Sequence, residues 1–292
     1  MSLLQRFPLT PKRTIAAAAC LSVAGLSLFG AQGASEAASS PNANHTNPTV
    51  VIEHGAWADG SSFAKVVRIL QHDGYTVDVP PNPLAGLPSD TATLTDYLHT
   101  ITGPIVLVGH SYGGMVTTDA ATGNPNVKAL VYVDAFVPAQ GETAIALASA
   151  QPGSCLGGGG NPANVFDFVP YPGAAAGDAD LYAKVGPSTD YPGFAQCFAN
   201  DLPASKGAVL ASLQSPIAFS ALSEPSTAPA WTTIPSWDLI GTLDHVIPPA
   251  EQLFMAHRAH AHIEEIPASH LSMISQAGAV ADTITQAATA TR

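Results

Sequence analysis

The sequence predicts an α/β fold: a mainly parallel sheet of about six strands, helices on both faces, and an insertion lying over one sheet edge. Three observations predict it. Short apolar runs alternate with stretches whose apolar residues recur at helical spacing. Two of the runs, 105–108 and 127–133, are apolar almost throughout, the pattern of parallel strands covered on both faces. The alternation lapses from Pro138 to about Pro229 and resumes at Ser236.

In order, the β-branched run 49–53 is the first strand. A loop, His54-Gly55-Ala56-Trp57-Ala58-Asp59-Gly60, leads to a helix capped by Ser61 or Ser62 and running to about Asp73, with Phe63, Val66, Val67 and Leu70 at helical spacing. Gly74 ends it, and 75–79 is the second strand. The Pro-rich stretch 80–88 reads as a loop and 91–99 as a helix with Leu94, Tyr97 and Leu98 inward. Strands follow at 105–108 and 127–133. Past the insertion come a strand at 236–240, a helix at 248–260, a strand at 262–266 and a closing amphipathic helix at 271–288. The core is thus expected in two pieces, 49–137 and 230–292, with 138–229 as a partly helical cap. A structureless loop of that length inside a compact domain would be unusual.

The N-terminus has a different character. Arg6, Lys12 and Arg13 precede an apolar run from Ile15 to Phe29, then small residues from Gly30 to Ala38. This three-part pattern predicts a secretory signal peptide over 1–38, cleaved between Gly33 and Ala38, followed by a flexible lead-in at 39–48. Fifteen apolar residues are short for a membrane span. Secretion, extracellular or periplasmic, leaves Cys155 and Cys197 as the cysteines of the mature chain, and an even pair in an oxidising compartment is a disulfide candidate. The 292-residue chain is 46% hydrophobic, 11% charged and carries a formal charge of −12. So acidic a chain offers no basic stripe for nucleic acid or an anionic membrane.

The chemistry centres on Val106-Leu107-Val108-Gly109-His110-Ser111-Tyr112-Gly113-Gly114-Met115-Val116. An apolar strand, a sharp Gly-His-Ser-Tyr-Gly turn and a small-residue helix form the context in which a G-x-S-x-G serine is lifted clear of a sheet. Side chains at 109 or 113 would collide with the neighbouring strand or helix. The helix after Ser111 points backbone N–H groups at any anion formed there. A serine hydroxyl still needs a base, and the base an orienting acid. His270 lies just after the last strand, at the same carboxyl edge as Ser111. His54 and His110 compete, but each sits in a turn it can shape. Asp244 lies in the loop after the penultimate strand; Asp134, at the end of the fourth, is its rival, and Asp238 lies within a strand.

The third need is an oxyanion hole. The Ala56 N–H, with Trp57 as the alternative, and the Tyr112 N–H are the candidate donors. Trp57 and Asp59, in the same loop, are candidate substrate-binding residues. The cluster His257, His260 and His262 spans a helix end and a strand start without a carboxylate in register, so no metal is expected. No G-x-G-x-x-G or Walker pattern appears, and no cofactor is expected.

These residues give the chain a resemblance to the α/β-hydrolase superfamily over nearly all of 49–290. The carriers are His-Gly-Ala-Trp at 54–57, Gly-His-Ser-Tyr-Gly-Gly at 109–114, Val-Tyr-Val-Asp-Ala-Phe-Val-Pro at 131–138 and Ser-His-Leu-Ser-Met-Ile-Ser at 269–275. The bacterial branch with these motifs is similar to plant methylesterases, plant hydroxynitrile lyases and pyrethroid-hydrolase-like esterases. The resemblance implies Ser111, Asp244 and His270 as a triad, in the chain order serine, acid, histidine. Hydroxynitrile lyases of this group carry Thr after the first-loop His and Lys after the catalytic His, where this chain has Gly55 and Leu271.

The expected activity is hydrolysis of small, hydrophobic carboxylic esters through an acyl-enzyme. A carbon–carbon or cyanohydrin lyase and a non-catalytic small-ligand-binding protein are the alternatives on the same scaffold. Neither a nucleic-acid partner nor a membrane span after signal cleavage is expected.

Overall fold

The computed structural model describes residues 47–291; the signal-peptide expectation and most of the lead-in lie outside the described residues. Within them the strands, in chain order, are β1 (Thr49–Glu53), β2 (Val77–Asp78), β3 (Ile105–His110), β4 (Val127–Val133), β5 (Phe166–Val169), β6 (Asp180–Ala183), β7 (Ile217–Ala218), β8 (Ser236–Gly241) and β9 (His262–Ile266). Six of them form one parallel sheet in the order β2-β1-β3-β4-β8-β9. The central strand β3 is buried at all six positions, as its unbroken apolar run requires. Each fully buried Val, Leu or Ile there contributes about 1.5–3 kcal/mol of hydrophobic stabilisation.

The helices are α1 (Ala64–His72), α2 (Leu87–His99), α3 (Gly113–Ala120), α4 (Ala144–Ala148), α5 (Phe194–Phe198), α6 (Ala204–Ser212), α7 (Phe219–Ser223), α8 (Pro249–Arg258), α9 (Ser272–Ser275) and α10 (Ala277–Ala290). The sheet is covered by α1 with α10, by the α2–α3 pair, and by α8 packed on β8 and β9.

Several boundaries differ from the sequence reading. Helix α2 starts at Leu87 rather than 91, because Pro88 occupies its first turn, where no N–H is needed. Strand β2 keeps only Val77 and Asp78, since it pairs with β1 alone, at the sheet edge. The first helix opens as a 3-10 turn at Gly60–Phe63, capped by Asp59 rather than by a serine. The closing helix is two pieces, α9 and α10, separated at Gln276 (φ −124°, ψ 40°).

Residues 138–229 hold α4 to α7 and also a three-stranded antiparallel sheet, β5-β6-β7, beyond the partly helical cap expected. Cys155 and Cys197 are joined in a disulfide, Cα atoms 5.8 Å apart. It ties the Gly-rich turn 155–160 to α5 across 42 residues of chain. Such a cross-link acts largely on the unfolded chain, and replacing both cysteines with serine is expected to cost about 2–4 kcal/mol. Urea denaturation checks this: the midpoint should fall, and an unchanged midpoint would mean the bridge adds nothing to stability. Among the described residues no helix is long and apolar enough to cross a membrane.

Candidate active site

Ser111 sits between β3 and α3 with φ 54°, in the left-handed region that a non-glycine residue occupies only under constraint. The constraint is visible: its carbonyl accepts the N–H of Gly114 (2.9 Å) and of Phe136 (3.2 Å). The glycines around it are there for close approach. A Cβ at Gly109 would lie 2.5 Å from Thr117 Oγ1 on α3, and one at Gly113 would overlap the Glu53 carbonyl oxygen of β1. Gly114, which the sequence reading did not single out, is as tight: its Cβ would overlap the Phe136 carbonyl oxygen and lie 3.0 Å from Ala135 Cβ. Gly114→Ala is therefore expected to destabilise by about 3 kcal/mol or more, lowering Tm by about 6–12 °C. A thermal melt checks it; an unchanged Tm would contradict the packing described.

Ser111, His270 and Asp244 come together from three loops at the carboxyl edge. His270 Nε2 is 2.9 Å from Ser111 Oγ, and its Nδ1 is 2.8 Å from Asp244 Oδ2. All three are buried. A carboxylate partner makes Nδ1 the protonated nitrogen, leaving the Nε2 lone pair facing the serine hydroxyl. Asp244 is itself fixed. Its Oδ1 accepts the N–H groups of Val246 (2.7 Å) and Ile247 (3.1 Å), and its Oδ2 also accepts Gln252 Nε2 (2.8 Å). Gln252 is a contributor with little sequence signal beyond its place on the inward face of α8.

The competing residues are engaged elsewhere. His54 Nδ1 donates to the Gly55 carbonyl (3.0 Å), and its Nε2 accepts the Asn82 N–H (3.2 Å). His110 Nε2 donates to the His270 carbonyl (2.9 Å), with the two rings 4.9 Å apart. Burial pushes both imidazoles below their ordinary range, His110 well below it, which keeps them neutral. Asp238 is fully buried and engaged in β8 through its main chain, while its carboxyl oxygens find no hydrogen-bond partner among the described residues. Asp134 binds the Gly241 N–H (2.7 Å) and the Ser272 hydroxyl.

Ala56, Trp57, Ser111 and Tyr112 all line one cavity of about 240 Å³. Neither the Ala56 nor the Tyr112 N–H donates to a protein acceptor among the described residues. The Tyr112 ring is anchored by its hydroxyl, which donates to Asp90 Oδ2 (2.8 Å), so its main chain stays beside Ser111. Beneath the elbow the sequence reading missed a buried acidic group: burial pushes Glu53 and Asp90 up, Glu53 further through the neighbouring Asp90. The other cavity walls include Phe136, Ile145, Phe166, Phe168, Phe219 and Leu222, and no charged side chain lines it.

Trp57 (φ 55°) stacks on Phe166 at 5.3 Å and donates its indole N–H to the Leu181 carbonyl (2.9 Å), joining the first loop to the β5–β6 hairpin. Asp59 does not line this cavity. It caps the 3-10 turn through the Ser61 N–H (2.7 Å) and borders a smaller adjoining space of about 50 Å³ that also touches His270. His262 stacks against Trp237 at 4.8 Å, and among the described residues no three His, Cys, Asp or Glu side chains gather as a metal site would require.

The model of the alpha/beta hydrolase family matches residues 50–283, most of the chain. The chain belongs to the alpha/beta hydrolase family. A carbendazim hydrolyzing esterase from Nocardioides sp. strain SG-4G is 36% identical over 110 residues, a match covering 33% of this chain and 46% of that esterase. The chain thus matches somewhat under half the length of that curated relative. Among solved structures, a pyrethroid hydrolase from Sphingobium faniae JZ-2 superposes with TM-score 0.65 at 21% identity, covering 83% of this chain and 98% of that one. An extracellular alpha/beta-hydrolase from a Paenibacillus species gives 0.63 at 20% identity, covering 82% and 98%. At such identities these two likenesses establish the shared fold.

Proposed function

We propose that this alpha/beta hydrolase is a secreted serine esterase that cleaves small apolar carboxylic esters through an acyl-enzyme. The observation that carries the reading is the hydrogen-bonded line Asp244–His270–Ser111, opening on an uncharged cavity. Ser111 Oγ attacks the acyl carbon as His270 Nε2 takes its proton, and Asp244 stabilises the imidazolium that forms. The oxyanion is received by the N–H groups of Ala56 and Tyr112. His270 returns the proton to the departing alkoxide, the alcohol leaves, and water repeats the sequence to free the acid and Ser111. Each step balances with these groups and water alone.

An uncharged, aromatic-rich cavity favours a neutral apolar group on the substrate, because a charge there would lose its hydration without a partner. The esterase relative in Nocardioides supports the substrate class. Export is supported by the three-part N-terminal sequence and by the Cys155–Cys197 bridge, which persists in oxidising compartments. Edman sequencing of protein recovered from the culture medium or periplasm should begin between residues 34 and 39; a chain retaining Met1 would contradict export by cleavage.

The test of the activity is hydrolysis of p-nitrophenyl esters from acetate to long chains, with Ser111→Ala alongside. Turnover by the wild type, abolished in the variant and falling off once the chain outgrows the cavity, is expected. Equal inactivity of both on every ester would overturn the esterase reading, and cyanohydrin cleavage or ligand binding retained by Ser111→Ala would replace it.

A further inference from the structure

Asp134 is used by none of the steps above, yet it is fully buried, sits at the end of β4 and holds φ 45°, a left-handed conformation. Its carboxyl reaches two separate loops. Oδ1 accepts the N–H of Gly241, where β8 turns into the loop carrying Asp244, at 2.7 Å. Oδ2 accepts the hydroxyl of Ser272, two residues beyond His270 and fully buried as well. The approach leaves no room to spare: a Cβ at Gly241 would lie 2.8 Å from Asp134 Oδ1, 2.6 Å from the Ala268 carbonyl and 3.0 Å from that of Ser269. The acid loop and the histidine loop therefore touch each other at Gly241 and are both tied to one side chain.

We propose that Asp134 is a positioning residue that clamps the Asp244 loop to the His270 loop and so sets the alignment of His270 between Asp244 and Ser111. The inference rests on the hydrolase reading above for its catalytic consequence, but the clamp itself is a statement about two hydrogen bonds. It gives a physical reason for a second acid so close to Asp244. Burial, and then the neighbouring Asp244 carboxylate, push the Asp134 carboxyl well above the usual carboxylate range. Both partners are neutral groups, so the clamp works through the shape of the carboxyl and its two polar atoms rather than through an ion pair.

That distinction sets the test. Asp134→Asn keeps an oxygen for the Gly241 N–H, places an amide that can donate to Ser272 Oγ once that hydroxyl turns from donor to acceptor, and tolerates the left-handed backbone. Asp134→Ala removes both bonds. Ser272→Ala removes the hydroxyl bond without touching the left-handed residue, and leaves the Ser272 N–H facing the carboxyl. In the p-nitrophenyl ester assay, on protein whose circular dichroism and melting show it folded, Asp134→Ala is expected to lose about 10²-fold in kcat, the cost of a misplaced catalytic group. KM should stay close to wild type, because Asp134 does not line the cavity. Ser272→Ala should show a smaller loss of the same kind, and Asp134→Asn should restore kcat to near the wild-type value.

The second measurement needs no substrate. The low-field proton resonance of the His270 Nδ1–H bonded to Asp244 should persist in wild type and Asp134→Asn and move upfield or broaden away in Asp134→Ala. Wild-type kcat and an unmoved resonance in folded Asp134→Ala would overturn the clamp. So would an Asn variant as impaired as the Ala variant, since that would make the charge the requirement. Failure of the wild type to hydrolyse any ester would instead overturn the esterase reading, and the resonance would still decide the clamp.

Discussion

Replacing His270 with alanine is expected to lower kcat for ester hydrolysis by about six orders of magnitude, the scale set by single deletions in another serine–histidine–aspartate enzyme. The size follows from the geometry. Among the described residues Ser111 Oγ has one base within reach, His270 at 2.9 Å, and the nearby histidines cannot substitute. His54 and His110 are buried, held by their loops and pushed towards the neutral form, and each spends a ring N–H on a backbone carbonyl. The remaining turnover should equal that of Ser111→Ala and of the double variant, because the two residues act as one unit. Steady-state assays with high enzyme concentration check this. A His270→Ala variant retaining a tenth of the wild-type rate would show that another base serves Ser111.

Asp244→Asn is expected to cost about 10⁴-fold in kcat while leaving the fold intact. An asparagine can still occupy the site, since its oxygen can take the N–H groups of Val246 and Ile247 that Oδ1 now accepts. Its NH₂ would then face His270 Nδ1 as a donor. That selects the tautomer protonated at Nε2, which has no lone pair for the serine proton. Asp134 offers no rescue, being committed to Gly241 and Ser272. Kinetics on a folded Asp244→Asn protein checks the claim; a loss under tenfold would make Asp134 or another group the orienting acid.

The main sheet and the site residues were legible for a common reason. Strands β3 and β4 are buried on both faces, so nearly every residue had to be apolar, and the elbow between β3 and α3 tolerates few residue types. Ser111, His270 and Asp244 each follow a strand of this sheet, and parallel order places their loops on one edge. The cap sheet was not legible, because β5 and β6 are four residues long and β7 two, too short for alternation to stand out in a Pro- and Gly-rich stretch. The start of α2 was hidden by Pro88, which reads as a breaker unless its place in the first turn is known.

Other features depend on contacts between residues far apart in the chain, which local pattern does not carry. Asp134 was legible as a rival acid but not as the link between two loops, since Gly241 and Ser272 lie 107 and 138 residues away. Asp90 beneath Tyr112, 22 residues away, is of the same kind. Asp59 spends one carboxylate oxygen on the Ser61 N–H, a turn-capping role its loop does not announce, and borders the smaller space beside His270.

The proposed activation of Ser111 by His270 can be tested without knowing the substrate. Folded protein is incubated with a fluorophosphonate, and the adduct is located by intact-mass and peptide mass spectrometry. One phosphonyl group on Ser111 is the predicted result, with none on Ser111→Ala and far slower labelling of His270→Ala. A folded wild type that takes no label, or takes it on another residue, would contradict nucleophilic activation of Ser111.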